Sequence, residues 1–115
     1  MPTLSRRAFL ASLAAPPGPI LVHEHVLVDF IGAAAVSRSR YDRDEAFRVA
    51  LPPLQALHAH GCVRLQECTP NFVGRDPILL ARLQEASGIE LWTNTGLYAA
   101  RNFHFLPPFA HTENA

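Results

Sequence analysis

Two histidines separated by one residue, His23 and His25, stand inside the apolar run 20–28, Ile-Leu-Val-His-Glu-His-Val-Leu-Val. Neutral imidazole is a good ligand for zinc and similar divalent ions. On a β-strand the side chains alternate between faces, so this spacing turns both imidazoles one way and Glu24 the other. Two rings on one face, with aliphatic residues before and after them, can close on a single cation. A catalytic metal site needs further protein ligands and an open position as well. The alternative is a pair of half-buried histidines hydrogen-bonded to neighbouring backbone.

The elements that must position this pair can be read from the residues that follow. Residues 31–41 combine Gly32, small alanines and Ser37-Arg38-Ser39-Arg40, which reads as a loop or short helix. Asp42 or Asp44 is a good N-cap for a helix carrying Phe47, Val49, Leu51, Leu54, Leu57 and His58. Pro52 and Pro53 lack the amide donor and are expected to break or kink that helix, and Gly61 to end it in a left-handed conformation. His58 and His60 lie two apart on it, face different directions and read as surface histidines. Residues 62–68 form a second strand, ending in the loop Thr69-Pro70-Asn71.

Gly74-Arg75-Asp76-Pro77 is a helix start. Proline fixes the first helical position, and the Asp76 carboxylate caps the free amides, a structural role with no catalytic part. Ile78, Leu79, Leu80, Leu83 and Ala86 then give an apolar stripe, closed by Gly88. The third strand covers 89–95 and stops at Gly96. Residues 97–115 hold Pro107-Pro108 and scattered aromatics without a settled periodicity. Strands alternating with helical crossovers imply parallel pairing and right-handed connections. No glycine-rich phosphate loop follows the first strand, so nucleotide binding of that kind is not expected.

Composition narrows the class further. A chain of 115 residues with 49% hydrophobic and 17% charged content is a globular unit with a modest core. Lys+Arg and Asp+Glu are equal at 10 each, leaving no basic field to recruit nucleic acid or an anionic membrane. No apolar run reaches transmembrane length. Cys62 and Cys68 are not spaced as a zinc knuckle; on a regular strand both would share one face without bonding to each other, and they read as free thiols. At the start, Ser5-Arg6-Arg7-Ala8-Phe9-Leu10 is similar to a twin-arginine motif and is followed by a short apolar stretch and small residues. Residues 1–15 are therefore expected to be an export signal, which would place the chain in the periplasm or outside the cell; without it the chain would be cytoplasmic. The alternative is an ordinary N-terminal helix, whose first-turn arginines would oppose the helix dipole. Pro16-Pro17-Gly18-Pro19 makes an extended linker, and 16–115 is the remaining unit.

Taken together, His23-Glu24-His25 on the first strand, Glu67-Cys68-Thr69-Pro70 closing the second, Gly74-Arg75-Asp76-Pro77 opening the next helix and Thr93-Asn94-Thr95-Gly96-Leu97-Tyr98 closing the third resemble the phosphotriesterase-related branch of the amidohydrolase superfamily. The resemblance runs from about Gly18 to the C-terminus. It implies an α/β fold, the N-terminal βαβαβ portion of a (β/α)8 TIM barrel, incomplete because such a barrel takes about 250 residues. It further implies a one- or two-metal site, usually zinc, at the C-terminal ends of the strands, with His23 and His25 as metal ligands. The family's other ligands come from later strands, and His104 and His111, in the irregular tail, do not replace them. The implied chemistry is hydrolysis of phosphotriesters, lactones or related small esters through a metal-bound hydroxide. The resemblance turns Glu24 away from the metal. Tyr98 is at most a pocket wall, with ordinary loop packing the alternative, and Glu67 ends its strand at the same mouth with its side unfixed.

Family members often carry a short N-terminal hairpin before the His-containing strand, and none fits here. The tail from Phe109 onward reads as the run-up to a further helix. Both points suggest a truncated product, and two histidines alone should bind zinc weakly and support no turnover. An open third-strand edge would invite self-association. The competing reading is a non-catalytic exported protein that binds metal or complements the strands of another chain.

Overall fold

The structure, a computed structural model, describes residues 18–111. The expected export signal, the first two linker prolines and the last four residues of the tail lie outside the described residues. Within them the chain alternates β1 (Ile20–Glu24), α1 (Arg43–Ala59), β2 (Arg64–Glu67), α2 (Pro77–Ser87) and β3 (Glu90–Trp92). The three strands form one sheet in the order β1-β2-β3, and both pairings are parallel. This is the βαβαβ arrangement that the alternating pattern implied.

Each strand is shorter than its apolar run. β1 stops at Glu24 because the next turn of chain finds other partners: the Val26 N–H donates to the Glu67 carboxylate at 3.1 Å instead of to a strand. The start of β2 is delayed to Arg64, since the Cys62 N–H is taken by the Leu57 carbonyl at the end of α1. At the far end of β3 the Asn94 side chain turns to the carbonyls of Glu67 and Thr69. Hydrogen-bond competition at strand ends is invisible to a hydropathy pattern.

Helix α1 begins at the Asp42 cap, whose carboxylate accepts from the N–H groups of Asp44 and Glu45. It runs through Pro52 and Pro53 without the break that is one of the two outcomes expected of them. The carbonyls that lose their donors belong to Arg48 and Val49, both exposed, so water can satisfy them. On the opposite face Leu51, Leu54 and Leu57 hold the helix to the core. Gly61 follows with φ +91°, the left-handed stop expected there, and His58 and His60 are both exposed.

Helix α2 has Pro77 in its first turn, Asp76 as its cap and Gly88 at its end with φ +78°. Its buried face differs from the expected stripe. Leu79, Leu80 and Leu83 are buried, but Ile78 is 56% exposed and Ala86 is exposed, while Ser87 takes the inner position. Ser87 is tolerated there because its hydroxyl accepts from the Ile89 N–H. Leu54, Cys62, Leu65, Leu79, Leu83 and Ile89 form the core between the sheet and both helices. The two cysteines are free. They do not share a face: Cys62 lies in this core, whereas Cys68 lines a cavity on the other side of the sheet. Regular alternation does not extend from one to the other because Cys62 precedes the strand.

Asp76 does more than cap. It is buried, and beside the amides of Ile78 and Leu79 it takes hydrogen bonds from Tyr41 and from the Arg43 guanidinium at 2.9 Å, with Arg38 also paired to it. Burial alone would raise its pKa. The Tyr41, Arg43 and Leu79 hydrogen bonds and the Arg38 charge outweigh that, holding it below the usual carboxylate value. Tyr41 is pushed up, first by its own burial and then by its bond to Asp76.

A carboxylate with a lowered folded-state pKa adds stability that is present above its unfolded value and lost as acid protonates it. The full chain should therefore hold its unfolding midpoint from neutral pH down to near the ordinary 3.8 of an aspartate and lose stability below it. Asp76→Asn should be less stable at pH 7 (about 1–3 kcal/mol for a buried acceptor whose charged partners are left behind), with a flatter acid limb. Denaturant melts of both proteins across pH test this; parallel curves would deny Asp76 the role.

Candidate metal site

The placement of His23 depends on a one-residue irregularity in β1. Leu21 pairs with Leu65, yet Glu24 pairs with Glu67, so three residues of β1 advance against two of β2. Leu65 and Glu67 share a face of β2, and Leu21 and Glu24 therefore share one too. An undisturbed strand would put Leu21, His23 and His25 together. The extra residue reverses the parity. Leu21 stays on the helix side, packed against the core, and His23 turns to the opposite side, while His25, just past the strand, borders both the cavity there and the helix-side groove. Glu24 lines the helix-side groove with Leu21, Ala46 and Leu54.

His23 and His25 lie against each other edge to face, ring centroids 5.3 Å apart. Both line a cavity of about 440 Å³ at the C-terminal end of the sheet, together with Cys68, Asn94 and Tyr98. His25 sits one residue beyond the strand, so its orientation comes from contacts beyond the ladder. Its Nδ1 is 2.9 Å from the Thr69 hydroxyl. Thr69 in turn donates to Glu67, and its backbone N–H reaches the same carboxylate at 3.1 Å. Glu67 is 1% exposed and takes the Val26 N–H as well.

The wall opposite the histidines comes from the loop after β3. The Asn94 amide donates to the Thr69 and Glu67 carbonyls at 3.0 and 3.4 Å, and its Oδ1 accepts the Gly96 N–H. That ties the ends of β2 and β3 into one rim. Tyr98 lines the cavity and also stacks on buried Phe105, centroids 5.4 Å apart, so it is both pocket wall and loop packing. His104 and His111 stand apart from the pair: His104 bonds the Ile31 carbonyl and His111 the Leu106 carbonyl. The sheet surface below the cavity is polar, with Arg64 paired to Glu90 at 2.8 Å and stacked over Trp92.

The donors suit a divalent ion in kind. Two imidazoles line one space, and one has a ring nitrogen engaged by a hydroxyl, as metal-bound histidines usually do. Among the described residues, however, no group of three or more His, Cys, Asp or Glu side chains comes together as a complete site. Thr69 and Asn94 enter the sequence reading only within the motifs that carry the resemblance, with no role of their own. A threonine two residues after a strand-ending acid and an asparagine between two threonines have no chemical signature until the loops fold.

Comparison with known proteins bears on what this rim is for. A model described as "Phosphotriesterase family" matches residues 12–114. No match was found among curated proteins. Among solved structures, the chain is similar to the organophosphorus hydrolase from Deinococcus radiodurans, at 32% identity and a TM-score of 0.61 over 70% of this chain and 25% of that one. A triple mutant of the same enzyme gives 34% identity and a TM-score of 0.63, again over 70% and 25%. A protein engineered for organophosphate hydrolysis from a weak promiscuous lactonase template gives 32% and 0.61, over 69% and 25%. The chain thus spans about a quarter of the length of these proteins, and its sheet corresponds to the N-terminal part of a TIM barrel.

Proposed function

The chain belongs to the phosphotriesterase family, and on that footing we propose that it carries the first strands of a metal-dependent hydrolase acting on organophosphates, lactones or related small esters. The observation that carries this reading is the imidazole pair, 5.3 Å between centroids, at the wall of a cavity. His23 and His25 would hold the ion, and zinc is the metal that fits neutral imidazole ligands at a hydrolytic centre. When bound, such an ion activates water and polarises a carbonyl or phosphoryl oxygen. The chain's own residues do the rest of what is proposed. Thr69 orients His25, Asn94 holds the two loop ends together, and Tyr98 with Val28 and Phe30 gives the space an apolar side for the organic part of an ester.

Two imidazoles are fewer than the three protein ligands usual for catalytic zinc. We infer that the 115-residue chain, taken alone, is a weak binder without turnover. Zinc titrated into the full chain by calorimetry should give a weak single site, and His23→Ala or His25→Ala should lower its affinity by at least about tenfold, since even outer-sphere partners are worth 10–100-fold. A lactone and an organophosphate should not be hydrolysed measurably. Zinc affinity indifferent to both substitutions would remove the site, and turnover lost in His23→Ala would refute the inactive-fragment reading.

A second reading has its own support in the sheet. Among the described residues β1 and β3 each pair on one side only, and the groove beside β1 is lined by Leu21, Val26, Leu27, Val49 and Leu57. Unpaired parallel edges with apolar flanks favour addition of further strands. A non-catalytic role, as a chain that binds metal or completes another sheet, would use these edges. Sedimentation of the full chain should then show association that rises with concentration; a monomer throughout the micromolar range would count against it. The balance of 10 basic and 10 acidic residues offers no basic field for nucleic acid, and among the described residues no helix is long and apolar enough to cross a membrane.

Export is the remaining proposal, supported by Arg6-Arg7-Ala8-Phe9-Leu10. Expressed in a bacterium, the chain should appear in the periplasm shortened by about 15 residues, and Arg6→Lys with Arg7→Lys should keep it in the cytoplasm at full mass. Full-mass protein in the cytoplasm without those substitutions would dismiss the signal.

A further inference from the structure

Among the described residues the buried Glu67 carboxylate has no ion partner. It accepts the Val26 N–H at 3.1 Å, the Thr69 N–H at 3.1 Å and the Thr69 hydroxyl. A carboxylate can only accept, and a hydroxyl has one proton to give. With that proton directed at Glu67, the Thr69 oxygen offers His25 Nδ1 only its lone pairs. A neutral imidazole must answer by placing its single proton on Nδ1. We infer that Glu67 and Thr69 act as positioning residues that lock neutral His25 as the Nδ1–H tautomer, leaving Nε2 as its one free lone pair for a cation.

Each link in this chain is directional. Two backbone amides and the hydroxyl hold the Glu67 oxygens in place, and burial denies them water as an alternative partner. The Val26 and Thr69 amides belong to the segments that follow β1 and β2, so the device is built by the junction of the two strands. Among the described residues His23 has no comparable hydrogen bond and meets His25 ring to ring. The two imidazoles are thus unequal: His25 is preset and His23 is free to adjust. A ring already in the ligating tautomer loses nothing to proton rearrangement when it binds. The inference deepens the hydrolase reading and rests on it for its purpose, but the tautomer can be measured without any metal.

The test is nitrogen-15 NMR of the full chain at about pH 8, where imidazole is neutral, with zinc titration as a second arm. His25 should give the Nδ1–H pattern in the unaltered chain. Thr69→Val, which removes the acceptor, should move it toward Nε2–H and weaken zinc binding about tenfold, whereas Thr69→Ser, which keeps the hydroxyl, should restore both. An Nε2–H tautomer in the unaltered chain, or one unchanged by Thr69→Val, overturns the inference. If Thr69→Val fails to fold, the spectra of the unaltered chain and of Thr69→Ser still decide the tautomer. A correct Nδ1–H tautomer in a chain whose imidazoles ignore zinc would sustain the lock and sink the hydrolase reading instead.

Discussion

At the junction of β1 and β2 a glutamate side chain is withdrawn almost wholly from water, Glu67 being 1% exposed. An ion in that position is tolerable only if fixed dipoles replace the lost hydration. Here the dipoles are two backbone amides and a hydroxyl. Supplying them dictates local shape: the chain must leave β1 at Val26 to offer its amide, and must turn at Thr69 to offer amide and hydroxyl together. The rim of the sheet is drawn around that requirement. His25 is caught in it, since the Thr69 oxygen that serves Glu67 is also what its Nδ1 meets.

A second buried carboxylate does similar work one loop away. Asp76 takes the amides of α2, the Tyr41 hydroxyl and the Arg43 guanidinium. Where Glu67 joins the two strand ends, Asp76 joins the long connection after β1 to the start of α2. The two loops meet again through the Asp29 N–H and the Val73 carbonyl at 2.7 Å. Gly74 makes that approach feasible, because a Cβ there would fall 2.9 Å from the Asp29 nitrogen and its φ is +111°. The C-terminal side of the sheet is therefore tied together across its loops.

The chain belongs to the phosphotriesterase family, and these features lie where a parallel α/β fold gathers its loops. In parallel α/β folds the chemistry gathers at the carboxyl ends of strands, where loops can vary without disturbing the core. The cavity, the histidine pair and the tied loops all lie at that end. The opposite faces of the same strands carry Leu21, Leu65 and Leu91 against the helices. The polar inner surface, with Arg64, Glu90 and Trp92 satisfying one another, is the kind that a closing barrel covers.

Much of the architecture was legible in the residues. The order of elements, the Asp76-Pro77 start of α2, the Gly61 and Gly88 stops and the free thiols follow from local chemistry, which acts over a few residues and leaves a mark in sequence. The spacing of His23 and His25 likewise placed two imidazoles side by side. What the sequence could not carry is the parity of β1. The strand slips by one residue against β2, and that slip turns His23 away from Leu21 toward the cavity, while His25, past the strand, is aimed by Thr69. The uninterrupted passage of α1 through two prolines, the burial of Glu67 and the grip of Thr69 on His25 are equally tertiary outcomes. Each depends on partners more than forty positions apart in the bonds of His25 and Val26, or on which carbonyls happen to face water. Such matters are decided when the chain closes on itself, because competition for buried hydrogen bonds is settled by geometry across elements and not by the order of residues within one.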